Sequence, residues 1–204
     1  MNKKKGLIFI IAAASGTGKT TLVHKLLAIN PRIKVSVSHT TRQPREGEVD
    51  GQHYFFTTEE DFEARIAKNE FLEFARVYLN YYGTSLLWIN QTLDEGFDVL
   101  LEIDVQGAAQ VKELLPEAVS IFILPPSLEV LGQRLTGRNS DADESVSLRL
   151  KEAESEIAQA QLFDYIVVNE HLDNALQDLD HIVHSEHLKK SQQLPILQKL
   201  LAKP

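Results

Sequence analysis

Cysteine is absent from the 204 residues, so disulfide stapling and thiol catalysis are both excluded, and a cytoplasmic location is expected. Long apolar runs are absent too; none approaches the ~20 residues needed to cross a bilayer, so no membrane partner is expected. The basic excess typical of general nucleic-acid binders is missing. Lys and Arg number 21 against 29 Asp and Glu, a net charge of −8, which argues against nucleic acid as a partner. It leaves room for a phosphate-bearing small molecule, because arginines can be concentrated locally on an otherwise acidic surface. No repeat, low-complexity segment or linker divides the chain, and its length suits one compact domain with small inserted lobes.

What is present begins near the N-terminus. The apolar run Leu7-Ile8-Phe9-Ile10-Ile11 leads into Ala13-Ala14-Ser15-Gly16-Thr17-Gly18-Lys19-Thr20-Thr21. This reads as a buried strand, a phosphate loop and a helix beginning near Lys19. Loop and helix N-terminal amides would converge on phosphates, with the helix dipole adding partial positive charge. Lys19 would reach the terminal phosphates and the Thr20 hydroxyl would hold Mg²⁺. Ala13 stands where the first Gly of the motif belongs. Lys3-Lys4-Lys5 followed by an apolar run also has the composition of a secretory signal, but cleavage near Ala14 would remove the strand that the loop requires.

Buried-strand candidates are Leu7–Ala12, Val99–Ile103, Val119–Leu124 and Tyr165–Val168, alternating with helical patterns at Thr20–Ile29, Ser85–Glu95, Gln106–Leu115, Leu128–Leu135, Glu144–Gln161 and Asn174–Lys189. That alternation predicts a doubly wound α/β core around a parallel sheet. Residues 35–82 break it: Val35-Ser36-Val37-Ser38, His53-Tyr54-Phe55-Phe56 and Phe71–Val77 read as short strands of a small mixed lobe, with Thr58 and Asp61 marking a helix start. Residues 134–149 are polar and arginine-rich, a moving-lid pattern, with Asp141 expected to cap the next helix. Past Lys189 the tail is expected to be broken by Pro195. Its Leu194, Ile196, Leu197, Leu200 and Leu201 would form a short amphipathic segment facing the core or a second subunit, which leaves a homo-oligomer open.

The second informative stretch is Ser38-His39-Thr40-Thr41-Arg42-Gln43-Pro44-Arg45-Glu46-Gly47-Glu48. Guanidinium forks suit phosphate oxygens, and Pro44 fixes the backbone between the two arginines. Tyr54, Glu73 and Asn80-Tyr81-Tyr82-Gly83-Thr84 follow. Tyrosine hydroxyls bind phosphate, and a carboxylate can accept the paired N–H groups of a purine edge. Together they supply what a second nucleotide needs. His181, His184 and His187 spread over a broad helical face without a carboxylate pattern, and read as a solvated face rather than a metal site.

From Leu7 to about His187 the chain closely resembles the guanylate kinase family, and the stretches Ser38–Glu48 and Asn80–Thr84 are highly specific to it. The resemblance implies a P-loop NTPase-type α/β fold and phosphoryl transfer from ATP to GMP, with dGMP a second acceptor and Mg²⁺ the cofactor. It implies a core from residues 1–34, 85–127 and 150–204, a GMP lobe from 35–84 and a lid from 128–149. Arg42, Arg45, Tyr54 and Tyr82 would hold the acceptor phosphate. Ser38, Glu73 and Thr84 would read guanine, with Asp104 near the base. The loop Ala14, Ser15, Gly16, Thr17, Gly18, Lys19, Thr20 and Thr21 would hold ATP, with Arg138 and Asn169 completing that site. Lys19, Arg42 and the lid arginines Arg134, Arg138 and Arg149 would neutralise the transferring group.

The sequence departs from the family pattern at several positions. Ala14 and Thr17 replace a common Pro and Ala. Leu79 replaces a Gly before Asn80, and Glu102 replaces an Asp. Asn139 replaces a Gly, and Leu148 stands where a basic residue is common. Three other readings compete. A kinase for another nucleoside monophosphate conflicts with Ser38, Glu73 and Thr84. A non-catalytic guanylate-kinase-like interaction module would typically lose loop or lid charges, whereas Lys19, Arg134, Arg138 and Arg149 are retained. A GTPase switch would need an Asn-Lys-x-Asp guanine reader, which is absent.

Overall fold

A computed structural model describes residues 5–77, 79–136 and 143–202. In chain order the elements are β1 (Ile8–Ala13), α1 (Lys19–Ile29), β2 (Ile33–Val35), β3 (His39–Thr40), β4 (Phe55–Phe56), α2 (Glu59–Ala67), β5 (Phe71–Val77), β6 (Asn80–Ser85) and α3 (Leu86–Asp94). There follow β7 (Asp98–Glu102), α4 (Val105–Leu114), β8 (Val119–Leu124), α5 (Leu128–Thr136), α6 (Asp143–Ile157), a 3₁₀ turn at Ala158–Leu162, β9 (Tyr165–Val168), α7 (Leu172–Leu188) and α8 (Lys190–Leu201).

The central sheet has the order β2-β7-β1-β8-β9, with every pairing parallel. A parallel sheet needs helical cover on both faces, and the side-chain period of two divides β1 accordingly. Ile8, Ile10 and Ala12 pack with Ile89, Leu93, Val105, Ala108 and Val111 of α3 and α4. Phe9 and Ile11 pack with Leu22, Val23 and Leu26 of α1 and Ala175, Leu179 and Val183 of α7. Ile10 and Ile11 are wholly buried, each stabilising the fold by roughly 1.5–3 kcal/mol relative to exposure. Because the strands are parallel, their C-terminal ends share one edge, and the loops after β1, β2, β7 and β9 collect there.

The second sheet, β4-β3-β6-β5, forms the small lobe; β3 pairs with β4 in parallel, and β6 is antiparallel to β3 and β5. Phe62 of α2 is its hub, wholly buried, stacked on Phe71 at 4.4 Å and Tyr81 at 5.1 Å. A Cβ on Gly83 would sit 2.8 Å from the Phe62 ring, so the glycine permits that stack. The expected helix start holds: the Thr58 hydroxyl accepts from the Asp61 amide at 3.1 Å.

Several expectations need correction. Val35 pairs with Leu100 in the parallel sheet, and Ser36–Ser38 belong to no strand; the lobe's first strand is His39–Thr40. Val35 is drawn into the core sheet because Ile33, two residues before, buries its side chain among α1 and α7. Asn80–Ser85, not among the strands expected for the lobe, forms one, and its pairing with β5 satisfies its backbone. Helix α8 continues through Pro195, which removes only one intrahelical hydrogen bond, and no residue of α8 is buried. His181 and His184 are exposed as expected, whereas His187 is only partly so: its Nε2 lies 2.7 Å from Asp98 Oδ2. Asp98, in turn, accepts from the Leu7 amide at 2.8 Å. Asp141 lies outside the described residues.

Replacing Phe62 with Ala removes the aromatic hub of the small lobe. We expect a loss of about 3–5 kcal/mol, measured as a shift in the urea unfolding midpoint. A loss under 1 kcal/mol would show that the lobe does not depend on this stack.

Candidate active site

The phosphate loop bridges β1 and α1. Gly16 and Gly18 adopt φ of 87° and 92°, a region strained for side-chain-bearing residues. Thr17 between them is buried; its hydroxyl donates to the Ala14 carbonyl at 2.9 Å and closes the turn. The N-cap of α1 is Gly18, which has no side-chain cap, so the first-turn amides are left for an anion. A cavity of about 290 Å³ follows the loop, lined by Ala13 to Thr21 and by Glu156 of α6.

Lys19 leaves this loop inward, its Nζ donating to the Ile103 carbonyl at 3.3 Å. Burial pushes its pKa down; Glu102, Asp104 and Glu156 push the other way. The Thr20 hydroxyl donates to Glu102 Oε1 at 2.7 Å, so the longer side chain at 102 reaches the loop directly.

A second cavity of about 270 Å³ lies between core and lobe, lined by Lys19, Ser38, Tyr54, Glu73, Tyr82, Glu102 and Asp104 among others. It adjoins a further cleft of about 350 Å³ that shares Lys19, Ser38, Tyr54 and Glu102. On the lobe side, Glu73 is 7% exposed and accepts from the wholly buried Thr84 hydroxyl at 2.6 Å. Burial raises the Glu73 pKa; the Thr84 bond opposes this and Asp104 adds to it. Asp104 also caps α4, accepting from the Gly107 amide at 2.8 Å. Arg42 lies 5.4 Å from the Tyr54 ring and 5.8 Å from Phe56, while Tyr54 and Tyr82 meet edge-on at 5.8 Å. Burial comes first in raising the Tyr54 pKa, so its hydroxyl stays a proton donor.

The remaining sequence-predicted residues fall in different places. Arg134 of α5 donates to the Thr17 carbonyl at 3.3 Å and the Asn169 carbonyl at 3.4 Å. The Asn169 amide nitrogen donates to the Thr17 carbonyl at 2.7 Å. Both side chains therefore brace the back of the phosphate loop. Arg45 is exposed on the lobe rim, and Arg149 is half-buried on α6. Arg138 and Asn139 lie outside the described residues.

A family model for guanylate kinase matches residues 5–186. The chain is 58% identical over 198 residues to a guanylate kinase of Neisseria meningitidis serogroup A, covering 97% of both. It is 51% identical over 203 residues to one from Shewanella violacea, covering 97% of this chain and 98% of the relative. Among solved structures, guanylate kinase from Anaplasma phagocytophilum superposes with a TM-score of 0.76 at 34% identity, covering 93% of this chain and 90% of that one. The chain belongs to the guanylate kinase family.

Within this guanylate kinase family member, three carboxylates stand at the site beyond those expected to line it. Glu102 was visible only as a departure from Asp. Glu48 closes the arginine stretch, and its position after Gly47 was a signal that went unused. Glu156, some two thirds of the chain away from the loop in sequence, lines the loop cavity. Its pKa is raised, by burial first. Nothing local marks it, because only the packing of α6 brings it there.

The brace can be tested directly. Asn169→Ala leaves the Thr17 carbonyl short of its 2.7 Å donor and should cost about 1–3 kcal/mol in chemical denaturation. Asn169→Asp, which turns an acceptor toward that carbonyl, should cost more. Equal stability of Asp and Asn forms would remove the hydrogen bond from the account.

Proposed function

We propose that this chain transfers the γ-phosphoryl group of ATP to GMP, giving ADP and GDP. The observation that carries this reading is the position of Lys19. This residue lines both the phosphate-loop cavity and the lobe-side cavity that holds Glu73, Tyr54 and Tyr82. One lysine thus borders two compartments, each chemically suited to a phosphate-bearing ligand.

In this reading, the loop amides from Ala14 to Thr21 and Lys19 hold the ATP phosphates. Arg42, Arg45, Tyr54 and Tyr82 hold the GMP phosphate, and Ser38, Glu73 and Thr84 read guanine, with Asp104 near the base. Ionised Glu73 accepts N1–H and N2–H₂, a donor pair that adenine lacks. A buried carboxylate left unpaired by the wrong base gives strong discrimination. Arg134, Arg138 and Arg149 belong to the lid, and Asn169 to the adenine side. In the conformation described, however, Arg134 and Asn169 are committed to the loop.

The attacking oxygen of the GMP phosphate is already anionic, so no general base is required. The protein aligns the reactants and offsets the repulsion of like charges. Closure of the lobe (residues 35–84) and lid (128–149) on the core would exclude water from the transferring group.

Magnesium fits the donors present. Thr20 offers a hydroxyl oxygen, oriented by its own bond to Glu102, beside a carboxylate that could hold a coordinated water. No group of three or more metal-ligating side chains occurs among the described residues, so the nucleotide phosphates would supply most ligands. When bound, the ion would neutralise phosphate charge. Among the described residues no helix is long and apolar enough to cross a membrane. We place the reaction in the cytoplasm on the cysteine-free composition.

A coupled assay of ADP release, with GMP, dGMP, AMP and UMP as acceptors, tests the assignment. Turnover should require GMP or dGMP and fall at least about a thousandfold in Lys19→Met; turnover with AMP but not GMP would overturn the base reader. Glu73→Gln should raise the KM for GMP roughly 10- to 100-fold with the ATP KM unchanged. The raised Glu73 pKa adds a pH signature. Below it the empty site holds a neutral carboxylic acid, so GMP binding must release a proton. The KM for GMP should therefore climb as pH falls through that titration, and Glu73→Gln should abolish this dependence. An unchanged pH profile in the variant would assign the titration elsewhere.

A further inference from the structure

Glu48 was not among the residues expected to bind either nucleotide, yet each of its carboxylate oxygens has a separate task in the acceptor clamp. Oε1 accepts from Arg42 Nη2 at 2.8 Å. Oε2 accepts from the backbone amide of Arg45 at 2.6 Å. The Arg45 carbonyl accepts from the Glu48 amide at 3.0 Å, so the two residues close a reciprocal turn. Gly47 makes that turn available: its φ is 84°, and a Cβ there would meet nothing within 4 Å, so backbone conformation alone demands glycine.

Arg42 is fixed on further sides. Its Nη1 donates to the Gln43 carbonyl at 2.7 Å, and its guanidinium packs near Tyr54 and Phe56. The ion pair is mostly shielded, with side-chain exposures of 14% and 18%. A guanidinium carries five N–H donors; the bonds to Glu48 and Gln43 fix its plane without consuming them all.

We propose that Glu48 is a positioning residue that presets the Arg42 guanidinium and the backbone of Arg45 in the acceptor-phosphate clamp before substrate arrives. The proposal rests on the reading of Arg42 and Arg45 as GMP-phosphate ligands. Two opposed effects meet here. Glu48 places negative charge beside an incoming phosphate, which weakens binding. It also removes the freedom of a long arginine side chain and a loop backbone, which strengthens it. Charge-assisted hydrogen bonds at both oxygens, in a shielded pair, make the ordering effect dominant. The Arg42 bond first, then the Arg45 amide, holds the Glu48 carboxyl down at about 2, so the pair stays ionised at any working pH.

The test compares wild type with Glu48→Gln, Glu48→Asp and Gly47→Ala in steady-state assays varying GMP and ATP separately, with guanosine as a phosphate-free competitor. Glu48→Gln should raise the KM for GMP about tenfold, leaving the ATP KM and the guanosine inhibition constant within twofold. Glu48→Asp keeps the charge but is one methylene short of spanning both partners, and should recover part of the loss. Gly47→Ala changes no charge, and should produce a smaller loss of the same GMP-specific kind even if the Glu48 variants fold poorly. An unchanged or lowered KM for GMP, or a guanosine constant that rises in step with it, overturns the positioning role. A wild-type enzyme that leaves GMP untouched overturns the acceptor assignment, and with it this proposal, before any variant is compared.

Discussion

A buried ammonium needs compensating charge, and Lys19 is surrounded by more carboxylates than one lysine can neutralise. Glu102, Asp104 and Glu156 all act on it while burial disfavours its charge. Neighbouring donors share the load: the Thr20 hydroxyl serves Glu102 and the Gly107 amide serves Asp104. Phosphate groups entering the loop would meet donors already oriented by these acids. The site is thus a polar network with internal partners rather than a patch of bare positive charge, in keeping with low-dielectric surroundings.

The same logic recurs in the lobe. Arg42 is held by Glu48, and Thr84 is held by Glu73. Arg42, Glu73, Thr84 and Asp104, which the proposed function assigns to GMP, thus each already have a protein partner. This keeps unsatisfied polar atoms rare at the site; the His39 Nδ1 atom is the buried exception among the described residues, and it lies in the aromatic layer of Phe55 and Phe71. Family membership and this geometry agree on the chemistry: alignment of two anions by fixed donors, with little covalent work left for the protein.

Much of the fold was legible because the physics is local. Val119–Leu124 and Tyr165–Val168 are strands over the spans expected; the expected burial holds for the first, whereas the second is an edge strand whose Ile166 and Val168 stay about half exposed. The helices α1, α3 and α4 begin within a residue of their capping or loop signals. The lobe was harder. Asn80–Ser85 contains polar and glycine residues that locally read as a turn, and its strand character comes from pairing with β5. Pro195 suggested a break, but the favourable helix formers around it carry α8 past one missing hydrogen bond.

At the site, residue chemistry in the sequence marked the phosphate loop and, taken together with its aromatic and acidic neighbours, the arginine pair, while the family resemblance pointed to Glu73 and Thr84. Only the tertiary structure decided which of them are free and which are held. Arg134 and Asn169 turn toward the Thr17 carbonyl, His187 turns toward Asp98, and Glu48, Glu102 and Glu156 arrive as partners from separate segments. The reason is physical: a side chain's type is fixed by the chain, but its hydrogen-bond partner is whatever packing brings within about 3 Å. For Lys19 and Ile103, 84 residues apart, that is a property of the parallel sheet and not of either sequence neighbourhood.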